Sequence, residues 1–319
     1  MTMPIEPVIQ ALVPRFPVFN VATHSGKFHA DEIAGLAILT PLFQNMAVYR
    51  TRDTGILKMM DLCIDVGGGP FDHHLRSNQR YRENGVPLAS AGLVWEAYGE
   101  NFVWQLIRDQ FLKMDEEAVK DVVAIVDRNV IEPIDAQDCG MTHTGRHCMN
   151  WVSSFNSTWI HGNSDQSFVE AVHFACTLLR KEVQVIIARV ASHDIVARQL
   201  NAADSVLGAL PREAGILILE QFVPWIESLH KLDPEEQIKL VVFHDVNDGW
   251  RVQAVPKAGD ERFVNRITLP ESWRGKVAED LVLASGVVDA TFCHTAGFIA
   301  GAATREGALE MAKRALQAA

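Results

Sequence analysis

Short apolar runs alternate with helix-like segments along most of the chain, and this alternation constrains the fold more than any other feature. In the N-terminal half, the predicted strands are residues 16–22, 47–52 and 62–66, and a helix is predicted over residues 31–39. In the C-terminal half, the predicted strands are residues 215–220, 238–244, 250–255 and 287–294. Strands and helices that alternate in this way are typical of α/β folds.

Helical periodicity also covers the middle and the end of the chain. The further predicted helices are residues 91–98 with Ser90 as N-cap, a helix that opens at Asp115, and residues 167–200, 224–232, 278–284 and 306–317. Residues 129–163, rich in Gly, Asn, Ser and His, are predicted to form a long irregular connection. A chain of 319 residues is long enough for two domains, which we place at residues 1–205 and 206–319.

Composition excludes several classes of protein. No apolar run approaches the roughly 18 residues that span a bilayer, and residues 1–17 do not resemble a signal peptide. The five cysteines are odd in number and scattered, which favours a reducing compartment, so we predict a cytoplasmic protein without a membrane partner. The net charge of −11 argues against a broad electrostatic grip on duplex nucleic acid.

Clusters of histidine and carboxylate follow the predicted strands of the N-terminal half. They contain His24, His29, Asp31 and Glu32; then Asp65; then Asp72, His73 and His74; and Asp127 stands near the end of a predicted helix. Ligands of open α/β sheets bind beyond the carboxyl ends of the strands. Each residue taken alone is explained as a turn or helix-end residue. Taken together, they predict a site for divalent metal such as Mn²⁺, Fe²⁺, Co²⁺ or Zn²⁺.

The order of these motifs, H-x4-H-x-D, then D-V-G-G, then D-H-H, then a helix that bears an aspartate, resembles the DHH phosphoesterase superfamily. More specifically, the chain resembles the family of the melanocyte-proliferating-gene product. The similar segments include THSGKFHADE, DVGGGPFDHH, LASAGLVWEAYG, FNSTW, WRVQAVP, NRITLPESWRG and FCHTAGFIAGAATREGALEMA, between residues 20 and 314. The resemblance implies a parallel-sheet DHH-type metal-binding domain followed by a smaller α/β substrate-binding domain, with the active site in the cleft between them.

The resemblance also implies two bound metal ions, usually Mn²⁺. By position, His24, His29 and Asp65 are expected to bind the first ion, and Asp31, Asp65, His73 and Asp127 the second. Asp65 would then bridge the ions and His74 would face the substrate phosphate, which makes Asp65 and His74 the expected catalytic residues. His29 stands where the commoner pattern has an aspartate, so it is either a ligand or a group beside one.

For the second domain, the resemblance implies a segment that holds the substrate. His294, ahead of Gly297 and Gly301, is the expected contact, with Arg251, Arg266 and Arg305 as the cationic candidates. The implied activity is 3′-to-5′ hydrolysis of RNA or short oligonucleotides. Two alternatives stay open: a small-molecule phosphohydrolase acting on pyrophosphate or a nucleotide, and a non-catalytic metal-binding protein of the same fold. A homodimer is also compatible with the sequence.

A second set of metal-type ligands lies in the predicted irregular connection. Cys139, His143, His147 and Cys148 fall within ten residues. They form either a small structural zinc site or an ordinary loop, because their spacing matches no common zinc motif.

Overall fold

The computed structural model describes residues 7–9, 17–141, 148–156, 165–202, 209–246, 249–259 and 264–319. The chain divides into two compact units, Met1–Ile187 and Ala188–Ala319. The domain boundary that the sequence suggests at residue 205 stays a prediction. In both units strands and helices are mixed, which confirms the α/β class.

The first unit contains a parallel sheet. Its strands are β1 (Phe19–Thr23), β2 (Met46–Arg50) and β3 (Leu62–Cys63), in the order β2-β1-β3. The helices that begin in this unit are α1 (Ala30–Leu39), α2 (Thr54–Leu57), α3 (Ser90–Asp109), α4 (Glu116–Val126), α5 (Glu132–Asp138) and α6 (Asp165–Asn201). The last of these continues into the second unit.

Helix α1 lies in the interior of the first unit. All of its residues from Asp31 to Leu39 are buried, because apolar side chains surround nearly the whole helix. It packs against α3, and Gly35 permits this close approach: a Cβ there would lie 3.3–3.4 Å from side-chain atoms of Ile64 and Val94. The buried helix therefore carries its first-turn carboxylates, Asp31 and Glu32, into the protein interior.

Two local predictions for the first unit are wrong. Residues 129–138 do not form an irregular connection: a π-helical turn over Asp127–Ile131 leads directly into α5. That segment is short and polar, and its helical character depends on tertiary burial of Ile131 and Ile134. Ser90 is not an N-cap either: Ala89 holds that position, Ser90 is the first residue of α3, and its hydroxyl donates to Asp65 Oδ1 at 3.1 Å.

The second unit contains a mixed sheet. Its strands are β4 (Ile216–Leu219), β5 (Leu240–His244), β6 (Trp250–Ala254), β7 (Ala290–Cys293) and β8 (Ile299–Ala302), in the order β4-β5-β6-β8-β7. Its helices are α7 (Pro211–Ala214), α8 (Ile226–Leu232), α9 (Ala278–Ser285) and α10 (Arg305–Gln317). Only β4 and β5 are parallel. The sequence does not predict β8, whose small residues have low strand propensity.

Alternate residues of this second sheet enter two separate hydrophobic cores. Leu240 and Val242 belong to one core with residues of α9 and α10, while Val241 and Phe243 belong to the other with α8 and the end of α6. This period of two is the expected consequence of strand geometry when both faces of a sheet are covered. In the ranges that the structure describes, no helix has both the length and the apolar character needed to cross a bilayer.

Candidate metal centre

The metal-type side chains of the first unit converge where β1 and β3 end. His24 follows β1 directly, and Asp65 lies two residues beyond β3. Asp65 adopts the left-handed backbone conformation with φ of 59°, and Gly67 and Gly68 follow at 85° and 71°. This tight turn, closed by Gly68 N–H donating to Asp72 Oδ2 at 2.7 Å, folds the D-H-H segment back toward the strand end.

Asp65 lies between two histidines that come from different elements. Its Oδ2 is 3.2 Å from His24 Nε2, and its Oδ1 is 3.3 Å from His73 Nδ1. Each histidine also lies close to a second carboxylate: His24 Nε2 is 3.1 Å from Glu32 Oε1, and His73 Nε2 is 3.1 Å from Asp138 Oδ2. A carboxylate that reaches two histidines from opposite oxygens has the arrangement needed to bridge two cations.

Asp31 is the carboxylate that best tests whether a cation fits. Both of its oxygens are buried, and neither accepts a hydrogen bond within the part of the chain that the structure describes. Its nearest cationic partner is His73 Nδ1 at 3.9 Å. Burial raises the pKa of Asp31 well above its usual value, and repulsion from Glu32, Asp65 and Asp138 adds to this effect. A buried carboxylate that accepts no hydrogen bond is costly unless it is protonated or coordinates a metal, so the site fits divalent cations.

Hydrogen bonds between the neighbouring histidines and carboxylates shift the pKa values of both. Burial alone would lower the pKa of His24, but hydrogen bonds with Asp65 and Glu32 raise it to about 10. A hydrogen bond with Asp138 likewise raises the pKa of His73. Burial disfavours ionisation of Asp138, yet the hydrogen bond and charge of His73 hold the pKa of Asp138 below its usual value.

Among the residues that the structure describes, four overlapping groups of side chains place their ligand atoms within 4.8 Å of one another. They are His24, His29, Glu32 and Asp65; Asp65, His73 and His74; His73, Asp138 and Cys139; and His29, Asp31 and Asp138. The predicted residues His24, His29, Asp31, Asp65 and His73 all belong to this assembly. Glu32 and Asp138 complete it, although the ligand set expected from the sequence contains neither.

His74 occupies a different position from His73. Its side chain is 61% exposed, its ring stacks on that of His73 with centroids 4.5 Å apart, and its Nδ1 lies 2.8 Å from Asp72 Oδ1. Burial opposes ionisation of Asp72, but hydrogen bonds from Gly68 N–H and His74 lower the pKa of Asp72. His74 is therefore oriented by a carboxylate while most of its ring remains open to solvent.

Asp127 is not brought into this assembly. Its two oxygens pair with Arg82, Oδ1 at 2.6 Å from one terminal nitrogen and Oδ2 at 2.8 Å from Nε. Asp127 belongs to none of the convergent groups found among the described residues. Helix α5 contributes its last residue, Asp138, instead. The only sequence signal for Asp138 is its place before Cys-Gly at the end of a short helix. The sequence predicts this helix as part of an irregular connection and therefore does not identify Asp138 as a ligand.

In the second unit, the predicted substrate contacts differ in their accessibility. His294 is exposed, and its Nδ1 accepts a hydrogen bond from Ala296 N–H at 3.1 Å. Arg251 pairs with Asp245 at 2.6 Å and Arg305 with Glu220 at 3.4 Å. The Arg266 side chain is only 2% exposed and binds Asp233 and the Ile238 carbonyl, so its guanidinium holds the fold together.

Part of the Cys139, His143, His147 and Cys148 cluster lies outside the described residues. This holds for His143, His147 and the side chain of Cys148. Cys139 lies beside His73 and Asp138, and burial together with the negative charge of Asp138 raises the pKa of its thiol to about 11. The zinc hypothesis for these four residues stays a prediction.

Comparison with known proteins agrees with the resemblance carried by the motifs. The model of the family described as uncharacterised protein family UPF0160, with the name MYG1 exonuclease, matches residues 20–316. The chain belongs to this family. The MYG1 protein of Schizosaccharomyces pombe is 32% identical, over 93% of this chain and 97% of the relative.

Mammalian members of the MYG1 exonuclease family are equally similar. The MYG1 exonuclease of Rattus norvegicus is 32% identical over 93% of this chain and 84% of its own length, and that of Homo sapiens is 30% identical over 93% and 85%. A solved structure described as a pGpG-specific phosphodiesterase from Vibrio aligns over 94% of this chain and 98% of its own. Its TM-score of 0.28 and 13% identity are too low to support an inference.

Proposed function

We propose that this chain is a metal-dependent phosphoesterase that hydrolyses phosphodiester bonds of RNA or short oligonucleotides from the 3′ end, with two Mn²⁺ ions. The observation that carries the proposal is the buried Asp31 carboxylate, which accepts no hydrogen bond in the described part of the chain and lies near His73 and Asp138. Membership of a family whose mammalian relatives are named MYG1 exonuclease supports the choice of reaction.

The proposed ligands differ from those expected from the motifs by two residues. His24, His29, Glu32 and Asp65 would surround one ion. His73 and the three carboxylates that lie within 4.0 Å of its ring nitrogens, Asp31, Asp65 and Asp138, would surround the other, with Asp65 shared. Asp138 thus replaces Asp127. Two bound cations lower the pKa of a water molecule and stabilise the charge that develops on the phosphoryl oxygens.

The protein's own contribution to this reaction is orientation and charge. Phosphoryl transfer needs little covalent chemistry from the protein, so positioning decides the rate. Asp72 fixes the His74 ring through Nδ1, which leaves Nε2 on the opposite edge of the ring. The proposed role of His74 is to contact a phosphate oxygen through Nε2, without contacting metal.

The second unit supplies further proposed substrate contacts. His294 is exposed, so a role as a satisfied core histidine does not explain it. Arg251 and Arg305 remain candidates for phosphate contacts, each with a carboxylate neighbour that a phosphate would have to displace. Arg266 is not among the proposed substrate contacts, because a guanidinium that is 2% exposed cannot reach a substrate.

Metal analysis of the purified protein, followed by a Mn²⁺-supplemented panel of RNA, DNA, dinucleotides and pyrophosphate, tests the proposal. We expect two equivalents of metal and hydrolysis of RNA and dinucleotides with release of 5′-nucleotides. Hydrolysis of pyrophosphate alone would establish the small-molecule alternative, and bound metal with no hydrolysis would establish the non-catalytic one. Cell fractionation and light scattering test the accompanying proposals of a cytoplasmic location and a homodimer.

A further inference from the structure

A short hairpin stands beside the D-H-H histidines. Arg82 N–H donates to the Val86 carbonyl at 2.9 Å, Leu88 N–H donates to the Arg80 carbonyl at 2.9 Å, and Gly85 turns the chain with φ of 83°. The hairpin is anchored at both ends. Arg82 is ion-paired with Asp127 of the π-helical turn and with Asp135 of α5, and buried Leu88 leads into α3. These contacts hold the hairpin against the first unit.

A cavity of about 310 Å³ is lined by this hairpin and the two histidines. The hairpin contributes Arg80, Tyr81 and Pro87 to its lining, and Gln79, just before the hairpin, also lines it. The candidate metal centre contributes His73 and His74. This volume falls at the small end of the range for small-molecule pockets. Among the described lining residues there is no carboxylate, so the hairpin side of the cavity suits a neutral or anionic group.

Tyr81 gives the cavity an aromatic surface. Its side chain is 61% exposed, and its hydroxyl lies 3.4 Å from Gln79 Oε1. An exposed aromatic ring on this hairpin offers a large contact area at little cost in conformational entropy. Aromatic side chains in nucleic-acid-binding proteins stack on bases of any sequence, because every base has a π-face.

We propose that this cavity binds the nucleobase next to the scissile phosphate, with Tyr81 as the stacking surface and Gln79 as a hydrogen-bonding group at its edge. The proposal rests on the proposed function, since it takes His74 as the phosphate contact. His74 lines the same cavity, so a nucleotide whose phosphate meets His74 would have its base within reach of the hairpin. The alternative explanation is that Tyr81 is an exposed side chain that contacts no ligand.

Calorimetric titration of the metal-loaded protein with AMP and with ribose 5-phosphate separates the two explanations. The two probes share the sugar phosphate and differ in the base. Base stacking contributes about 1–3 kcal/mol, so AMP should bind between about fivefold and about a hundredfold more tightly than ribose 5-phosphate. In Tyr81→Ala the affinity for AMP should fall to near that for ribose 5-phosphate, while the affinity for ribose 5-phosphate should stay constant. Tyr81→Phe should retain the preference.

Phe111→Ala is the matched control, because Phe111 is an exposed aromatic residue that does not line the cavity. The proposal is overturned if the wild-type protein binds both probes equally or binds neither, or if Tyr81→Ala keeps the preference for AMP. The proposed function is judged separately, by turnover of a dinucleotide. A Tyr81-dependent preference for AMP without turnover would support the cavity and refute the reaction, and turnover without that preference would do the reverse.

Discussion

Nε2 of His73 lies 3.1 Å from Oδ2 of Asp138, the last residue of α5. This contact joins the turn after β3 to a helix much later in the chain. It also indicates which of two aspartates, Asp127 before α5 or Asp138 at its end, belongs to the metal centre. Asp127 is on the same segment, but its oxygens are occupied by Arg82.

Exchange of each aspartate for asparagine distinguishes these two roles. Substitutions beside metal ligands commonly weaken metal binding by about 10–100-fold, and loss of a ligand should cost at least that much. We therefore expect Asp138→Asn to lose one metal equivalent on dialysis, and Asp127→Asn to keep both. Elemental analysis of the two dialysed variants checks this. The opposite result would return Asp127 to the ligand set.

Asp65→Asn should lose both metal ions. Asp65 contacts His24 through one oxygen and His73 through the other, and asparagine removes the charge that both cations share. Asparagine also tolerates the left-handed backbone conformation at this position, so the turn should survive. Asp53→Asn, at the exposed N-cap of α2, is the control for the same chemical change. Two retained equivalents in Asp65→Asn would contradict the shared-ligand arrangement.

The sequence predicts those parts of the centre that follow strands. His24 and Asp65 stand directly after apolar runs, and the carboxyl ends of neighbouring parallel strands meet at one edge of a sheet. Asp138 has no such mark, because α5 has seven residues and becomes helical only through contacts with the rest of the unit. The sequence wrongly suggests Arg266 as a substrate contact for the same physical reason. Its burial against Asp233 depends on contacts that no local pattern encodes.

His74→Ala should keep its metals and lose most of its turnover. The His74 ring is oriented by Asp72 and is largely exposed, unlike the ring of His73, whose nitrogens both lie near carboxylates of the centre. Removal of one group that stabilises developing charge costs about 10²–10³-fold in rate. Steady-state kinetics with a dinucleotide, together with elemental analysis of the same preparation, tests this expectation. Loss of metal along with activity would show that His74 is a ligand.

Binding of metal should release protons at neutral pH. In the metal-free protein the pKa of His24 is raised to about 10, and the pKa values of Asp31 and His73 are also raised. These groups therefore hold protons that a metal ion must displace, and metal affinity should fall as pH falls from 8 to 6. Titration of Mn²⁺ at one pH in buffers of different ionisation enthalpy measures the protons released. Heats that do not depend on the buffer would contradict the assignment of these ligands.

Arg82 compensates a carboxylate that is completely buried. Its guanidinium lies 2.8 Å from Oδ2 of Asp135, and Oδ1 of Asp135 accepts a hydrogen bond from Gly92 N–H of α3 at 2.9 Å. A Cβ at Gly92 would lie 2.0 Å from Asp135 Oδ2, so the carboxylate rests against bare helix backbone. Burial raises the pKa of Asp135 to about 7, although the charge of Arg82 acts in the opposite direction.

Arg82→Ala should accordingly destabilise the protein by about 3–5 kcal/mol, because it leaves a buried charge without a partner. A group whose pKa is raised on folding contributes stability at low pH that is lost as pH rises through the folded pKa. Without Arg82 the pKa of Asp135 should rise further, so the variant should be least stable, relative to wild type, at pH 8 and less impaired at pH 5.5. Urea unfolding at both pH values measures this difference. Arg80→Ala removes an arginine whose pair with Glu96 is solvent-exposed, and it should cost at most about 1 kcal/mol. A loss for Arg82→Ala as small as this control, or one independent of pH, would show that Asp135 does not depend on Arg82.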